Sequence, residues 1–174
     1  MNPEEGRLLI GIARNAIEWW VKKGTEFKPK DYPESFNEKQ GVFVSLHTKS
    51  NQLRGCIGFI EPEKPLIKGL VEVAISASQD PRFPNVSKDE LDNIDIEVSI
   101  LTKPEPVEIN NIKKGDGIII EKGFNRSVFL PQVWEELHDK ENFLNQLCIK
   151  AGLAPDEWKH DIKAYKFNVE IFKE

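Results

Sequence analysis

At 174 residues, with 39% hydrophobic and 30% charged side chains, the chain suits one domain or two small lobes sharing a core, and it is too apolar for a disordered protein. A formal charge of −5 with scattered lysines argues against broad nucleic-acid binding, which depends on neutralising several phosphates, although an RNA site assembled from distant residues stays open as an alternative. No apolar run approaches the ~20 residues that span a bilayer, Asn2 to Glu5 do not resemble a secretion signal, and two cysteines in that setting predict reduced thiols in a cytoplasm.

Pro3 to Lys23 reads as an amphipathic helix, with Glu4 and Glu5 in its first turn. Leu8, Leu9, Ile12, Ala16, Trp19 and Trp20 recur at helical spacing, and Gly24 is a fitting stop. Phe27 to Phe36, with Pro29 and Pro33, reads as an irregular arm. Gly41 to His47 predicts a strand, Thr48 to Gln52 a turn, and Leu53 to Ile60 the hairpin partner. Pro62 and Pro65 lead into a helix over Leu66 to Gln79, whose small residues (Gly69, Ala74, Ser76, Ala77, Ser78) suit close packing on a sheet. Asp80 to Asn85 holds two prolines that push their predecessors out of the helical region, so it is a rigid loop. Ser87 and Glu90 form a capping-box pattern before a short helix.

Ile94, Ile96, Val98 and Ile100 alternate with Asp95, Glu97 and Ser99, the cleanest strand in the sequence. Gly115 to Glu121 and Ser127 to Leu130 flank a Gly123–Arg126 turn as a second hairpin. Glu141 to Ala151 is helical, with Phe143, Leu144, Leu147 and Cys148 inward and Gly152 as its stop. Tyr165, Phe167, Val169 and Ile171 alternate in one last strand. Helices mixed with hairpins point to an α+β fold, a mainly antiparallel sheet flanked by helices.

The segment Leu53-Arg54-Gly55-Cys56-Ile57-Gly58 sets a cysteine beside an arginine and between two glycines. Strand alternation puts Arg54, Cys56 and Gly58 on one face and Leu53, Gly55 and Ile57 on the other. Arg54 and Cys56 are then ~6–7 Å apart. A unit charge at that distance is worth ~0.6 kcal/mol in water and ~2.5 at an effective dielectric of 20, so Arg54 favours a thiolate only in a partly buried site. Against this stands a cysteine that packs as a small hydrophobe, with Arg54 paired to Asp95 or Glu97 of a neighbouring strand. Cys148 sits at an inward helical position and reads as core.

A nucleophilic cysteine wants a histidine base. His47 ends the strand that pairs with the hexapeptide. Opposite Arg54 it would share the face of Cys56, and opposite Leu53 it would point away, a matter of one residue of register. His138 and His160 lie in polar stretches and read as solvated. Asp80 could brace its loop and Arg82 could offer a fork to a carboxylate or phosphate, or the two could simply pair. Gln132, after Pro131, could bond a ligand or satisfy backbone. No histidine or cysteine pair has metal-ligand spacing, and Gly115-Asp116-Gly117 lacks the length and the lysine of a phosphate-binding loop, so neither a metal nor a cofactor is expected.

The hexapeptide, with Gly41-Val42-Phe43-Val44, Asp80-Pro81-Arg82-Phe83-Pro84, Ile96-Glu97-Val98-Ser99-Ile100-Leu101, Leu130-Pro131-Gln132-Val133, Phe143-Leu144, Leu147-Cys148 and Lys150-Ala151-Gly152-Leu153, resembles the AMMECR family, in family order across nearly the whole chain. The resemblance implies a single domain over residues 1–174, two-lobed, with the hexapeptide near a cleft between the lobes. It implies no assigned activity. Family members are often encoded beside, or fused to, a Memo-like protein and a radical-SAM protein, which suggests a modification pathway. Trp134 departs from the alanine common there and would narrow the cleft if it lined it. Two uses of the site follow. An enzyme or enzyme subunit would employ Cys56 and Arg54 on a protein, RNA or small molecule, with Gly55, Gly58, Asp80, Arg82 and Gln132 in binding. A non-catalytic module would hold an anionic group or a partner's peptide through Arg54 and Arg82.

Overall fold

Asn2 begins the first helix, α1 (Pro3–Lys23), by accepting the N–H groups of Glu4 and Glu5, while the Glu5 side chain reaches back to the Asn2 N–H. This reciprocal box satisfies donors that a helix start leaves unpaired. Gly24, at φ +67°, ends the helix in the left-handed region open to glycine. The structure, a computed structural model, describes all residues from Met1 to Glu174. It divides into two compact units, residues Met1–Leu101 with Glu170–Glu174, and Thr102–Val169.

In the first unit, α1 buries Leu9, Ile12, Ala13, Ala16 and Ile17. The apolar stripe therefore continues through Ile17. Trp19, expected on the same stripe, stays 39% exposed, packed against Phe27 beneath the Lys23 ammonium. The irregular arm contributes a short 3-10 turn, Glu34–Asn37, that inserts Phe36 fully into the core. Strands β1 (Gly41–Thr48), β2 (Leu53–Phe59) and β3 (Ile94–Leu101) join β8 (Val169–Lys173) in a sheet of order β2-β1-β3-β8, so β1 is central and β2 is an edge. Both β1 pairings are antiparallel. Val42, Val44 and Leu46 of β1 face Ile100, Val98 and Ile96 of β3 on the buried side, where α1 and α2 (Leu66–Ala77) cover them. Ser87 and Glu90 form the expected capping box, opening a 3-10 helix over Lys88–Asn93.

In the second unit, β4 (Glu105–Pro106), β5 (Gly117–Lys122), β6 (Asn125–Phe129) and β7 (Lys163–Phe167) form a sheet of order β4-β7-β5-β6. Helix α3 (Lys140–Lys150) lays Phe143, Leu144, Leu147 and Cys148 over Ile118, Ile120 and Ala164. The β5–β6 loop is tighter than expected, because Lys122 pairs with Asn125 and leaves only Gly123 and Phe124 between the strands.

The C-terminal segment corrects the expected single strand. It breaks at Asn168, whose N–H binds the Thr102 hydroxyl and whose C=O accepts the Thr102 N–H, both at 2.9 Å. The two halves then join different sheets. The buried residues of β7 are Ala164 and Phe167, and Ile171 of β8 is 43% exposed, so the apparent alternation was continuous in sequence but not in burial. The mixture of helices with antiparallel sheets is α+β. No helix is long and apolar enough to cross a membrane.

Candidate functional site

An edge strand leaves backbone N–H and C=O groups without ladder partners, and at Cys56 on β2 both are taken up by side chains. The Cys56 N–H donates to Asp80 Oδ2 at 2.9 Å, and Arg82 Nη2 donates to the Cys56 C=O at 3.2 Å. Asp80 is 2% exposed and accepts three further bonds, from the Arg82 backbone N–H, Nε and Nη2 at 3.0, 3.0 and 2.6 Å. The Arg82 side chain holds the Asp80 carboxyl far below the usual carboxylate range, against the opposing effect of burial, with help from the Cys56 and Arg82 N–H groups. Asp80 in turn raises the Arg82 guanidinium. The loop that carries both is fixed locally, since the Phe83 N–H donates to the Asp80 C=O and the Val86 N–H to the Ser78 C=O.

The Cys56 side chain is half-buried and sits opposite Ser45 of β1, whose hydroxyl donates to Sγ at 3.2 Å. Arg54, two residues before, binds Glu90 through Nε–Oε1 at 2.9 Å and Nη2–Oε2 at 3.2 Å. Arg54 and the Ser87 N–H lower the Glu90 carboxyl. Neither expected partner of Arg54 is used: Asp95 takes Lys49 and Glu97 takes Lys173. The Arg54 charge is thus compensated by a carboxylate, and the cation beside Cys56 is Arg82. Both guanidinium groups flank the Phe83 ring, Arg54 at 6.0 Å and Arg82 at 5.6 Å from its centroid.

The two glycines of the hexapeptide are places of close packing. A Cβ on Gly55 would lie 2.3 Å from the Ala77 carbonyl oxygen at the end of α2, and one on Gly58 would lie 2.2 Å from the Phe43 ring. That ring covers Gly58 and leaves no open space over it. Gln132 lies exposed in a 3-10 turn of the second unit, Pro131–Glu135. Trp134 in the same turn is core, 3% exposed and stacked on Phe143 at 3.8 Å, with Nε1 donating to the Asp116 C=O. Cys148 is fully buried, and burial pushes its thiol up. His138 and His160 are exposed, His138 with Nδ1 2.9 Å from the Trp134 C=O. No group of three or more His, Cys, Asp or Glu side chains is placed to hold a metal.

His47 pairs with Leu53, the register that by simple alternation turns it away from Cys56. A β-bulge intervenes. Leu46 pairs with Gly55 and His47 with Leu53, so Arg54 is the extra residue of β2. On the other side, β1 and β3 run in unbroken register from Gly41–Leu101 to Thr48–Ile94. Phe43, Ser45 and His47 therefore share the face opposite buried Val42, Val44 and Leu46, and the Ser45–Cys56 contact puts Cys56 on that face too. Sequence reasoning missed Ser45 and Glu90. Glu90 carried a visible signal, but one that spoke for a helix cap; Ser45 carried none without the register.

The AMMECR1 family pattern matches residues 10–172. A protein of Methanothermobacter thermautotrophicus is 47% identical over 186 residues, spanning 100% of this chain and 96% of its own length. One from Methanocaldococcus jannaschii is 49% identical over 183 residues, 98% of this chain and 90% of its own. The crystal structure of an uncharacterized protein from Pyrococcus horikoshii is similar, with a TM-score of 0.85 and 46% identity over 100% of this chain and 93% of that one. Sequence match, relatives and fold agree over nearly the full length, and the chain belongs to the AMMECR1 family.

Proposed function

We propose that this chain is an enzyme or enzyme subunit of a modification pathway whose reacting group is the Cys56 thiol. The observation that carries the reading is the contrast within the Cys56 residue itself. Its peptide group is tied down on both sides by Asp80 and Arg82, while the residue as a whole is only half-buried and its sulfur takes a hydrogen bond from Ser45. A fixed backbone, a residue short of full burial and a hydroxyl donor to the sulfur suit a nucleophile that must be positioned. Cys148 has the opposite surroundings, full burial in an apolar core. The test is alkylation by iodoacetamide at neutral pH, followed by peptide mass spectrometry, with glutathione as the reference thiol. Cys56 is expected to react faster than glutathione and Cys148 not at all in the folded protein. A Cys56 rate at or below that of glutathione removes the chemical basis of the reading.

A second reading, a binding module without catalysis, is favoured by one specific feature. The Arg82 side chain is 57% exposed although it is paired with Asp80, and it stands with Arg54 around Phe83. Its outer N–H groups suit a carboxylate or phosphate. Replacing Cys56 by Ser and by Ala separates the readings. A nucleophile fails with both, whereas a binding surface tolerates at least one, as judged by retention of whatever ligand or partner the wild-type chain retains.

A further inference from the structure

We infer that His47 accepts the proton of the Cys56 thiol, with Ser45 holding the sulfur and Asp95 positioning the imidazole; the inference rests on Cys56 being the reacting group. Cys56 faces Ser45, and His47 is two residues further along β1 on the same face, which makes His47 and Cys56 diagonal cross-strand neighbours. Such pairs are ~7–8 Å apart at the backbone, within reach of a long or aromatic side chain. Asp95 of β3 is directly opposite His47, and Glu97 is directly opposite Ser45.

The other ionisable groups around this face are occupied. Asp80 accepts four hydrogen bonds, and Arg82 keeps it ionised far below the range in which it could take a thiol proton. Glu90 is held by Arg54 and the Ser87 N–H. Glu97 pairs with Lys173 at 2.8 Å. Asp95 binds Lys49 through Oδ1 only, at 2.5 Å, leaving its second oxygen for a ring N–H. The His47 side chain is half-buried and makes no hydrogen bond within the chain, Cys56 included. Contact of base and nucleophile commonly tightens only when substrate is bound.

The step is a simple transfer. The S–H bond of Cys56 breaks and its electron pair stays on sulfur. The proton bonds to the unprotonated ring nitrogen of neutral His47, giving a thiolate and an imidazolium. The Ser45 hydroxyl donates to the sulfur before and after. Nearby Arg82 and Lys49 add positive charge, and Asp95 and Asp80 offset it.

The test follows the Cys56 alkylation rate of the full chain by iodoacetamide from pH 5 to 9, in wild type, His47→Gln and Asp95→Asn. The wild-type curve is expected to show a further step at lower pH than the one that belongs to the thiol alone. In His47→Gln that step disappears and the rate at neutral pH falls on the order of tenfold. Asp95→Asn moves the curve in the same direction by less. Fast Cys56 labelling in wild type with an unchanged profile in His47→Gln overturns the role of His47 and leaves the reading of Cys56 standing. Labelling no faster than glutathione overturns both. A second measurement avoids any folding defect in His47→Gln: the NMR titration of the His47 ring in wild type against Cys56→Ser. The pair requires its midpoint to move when the thiol is removed, and an unmoved midpoint refutes the coupling.

Discussion

Replacing Asp80 by Asn tests the clamp on which the site depends. Asn has the same shape, but one carboxylate oxygen becomes an NH2 group. Of the four bonds that Asp80 accepts, two go to Oδ1 and two to Oδ2, so either orientation of the amide strands two donors. With Oδ2 replaced, the part-buried Cys56 N–H is one of them. Leaving a buried donor without its acceptor costs ~1–3 kcal/mol, and loss of the charge adds to that. We expect a loss of ~2–4 kcal/mol at pH 7, below the ~3–5 of a fully buried pair because Arg82 reaches solvent. In a chain of this length that lowers the thermal midpoint by ~4–16 °C. Because the folded Asp80 carboxyl is depressed, its contribution is complete above the unfolded value of ~3.9 and is lost as pH falls through the lower folded value. Urea denaturation of both proteins from pH 7 down to 3 is the assay. The difference between them should be constant from pH 7 to about 5 and shrink below 4. A difference under ~0.5 kcal/mol at pH 7, or one that does not shrink in acid, refutes the clamp.

Gly55→Ala forces a Cβ against the Ala77 carbonyl and should cost ~1–3 kcal/mol. Gly11→Ala, in α1 with open space around it, should instead gain ~0.5–1 kcal/mol, and urea midpoints of the two report both signs. Trp134→Ala removes a buried ring stacked on Phe143 and should cost ~3–5 kcal/mol; a loss under 1 would mean that the ring is not a core element. The Arg54–Glu90 pair should show a coupling of ~0.5–1 kcal/mol in a double-mutant cycle, weakened by added salt, since Glu90 is partly exposed.

How much of this was legible in the sequence depended on whether the deciding interaction was local. The stop at Gly24 and the box at Ser87 and Glu90 are set by residues three or four apart, and α1 lies where its periodicity placed it, although its own capping box at Asn2 and Glu5 went unread. Asp80 and Arg82 are two residues apart and could be weighed as a pair, but their attachment to Cys56 spans 24 and 26 residues and had no sequence signal. The partner of Arg54 was misassigned for the same reason, because strand neighbours were in view and a 3-10 helix was not. The last strand was read as one because Tyr165 to Ile171 alternates without interruption, while the break at Asn168 is made by Thr102, 66 residues earlier.

The bulge at Arg54 is the instructive case. Alternation treats a hairpin as rigid, so that pairing His47 with Leu53 fixes its face. One inserted residue in β2 restores parity on one strand without disturbing the other, and β1 keeps its phase because it is locked to β3 over eight consecutive pairs. The central strand is thereby divided between two tasks. Val42, Val44 and Leu46 are fully buried and carry the packing, and Ser45 and His47 stand on the other face, outside the core. Substitutions at Ser45 and His47 should accordingly change stability by no more than ~0.5 kcal/mol beyond the loss of a single hydrogen bond, whereas Val44→Ala should cost ~2 or more. That separation is what allows the chemistry of the face to be tested by mutation, since a change in Cys56 reactivity there can be read without a change in fold.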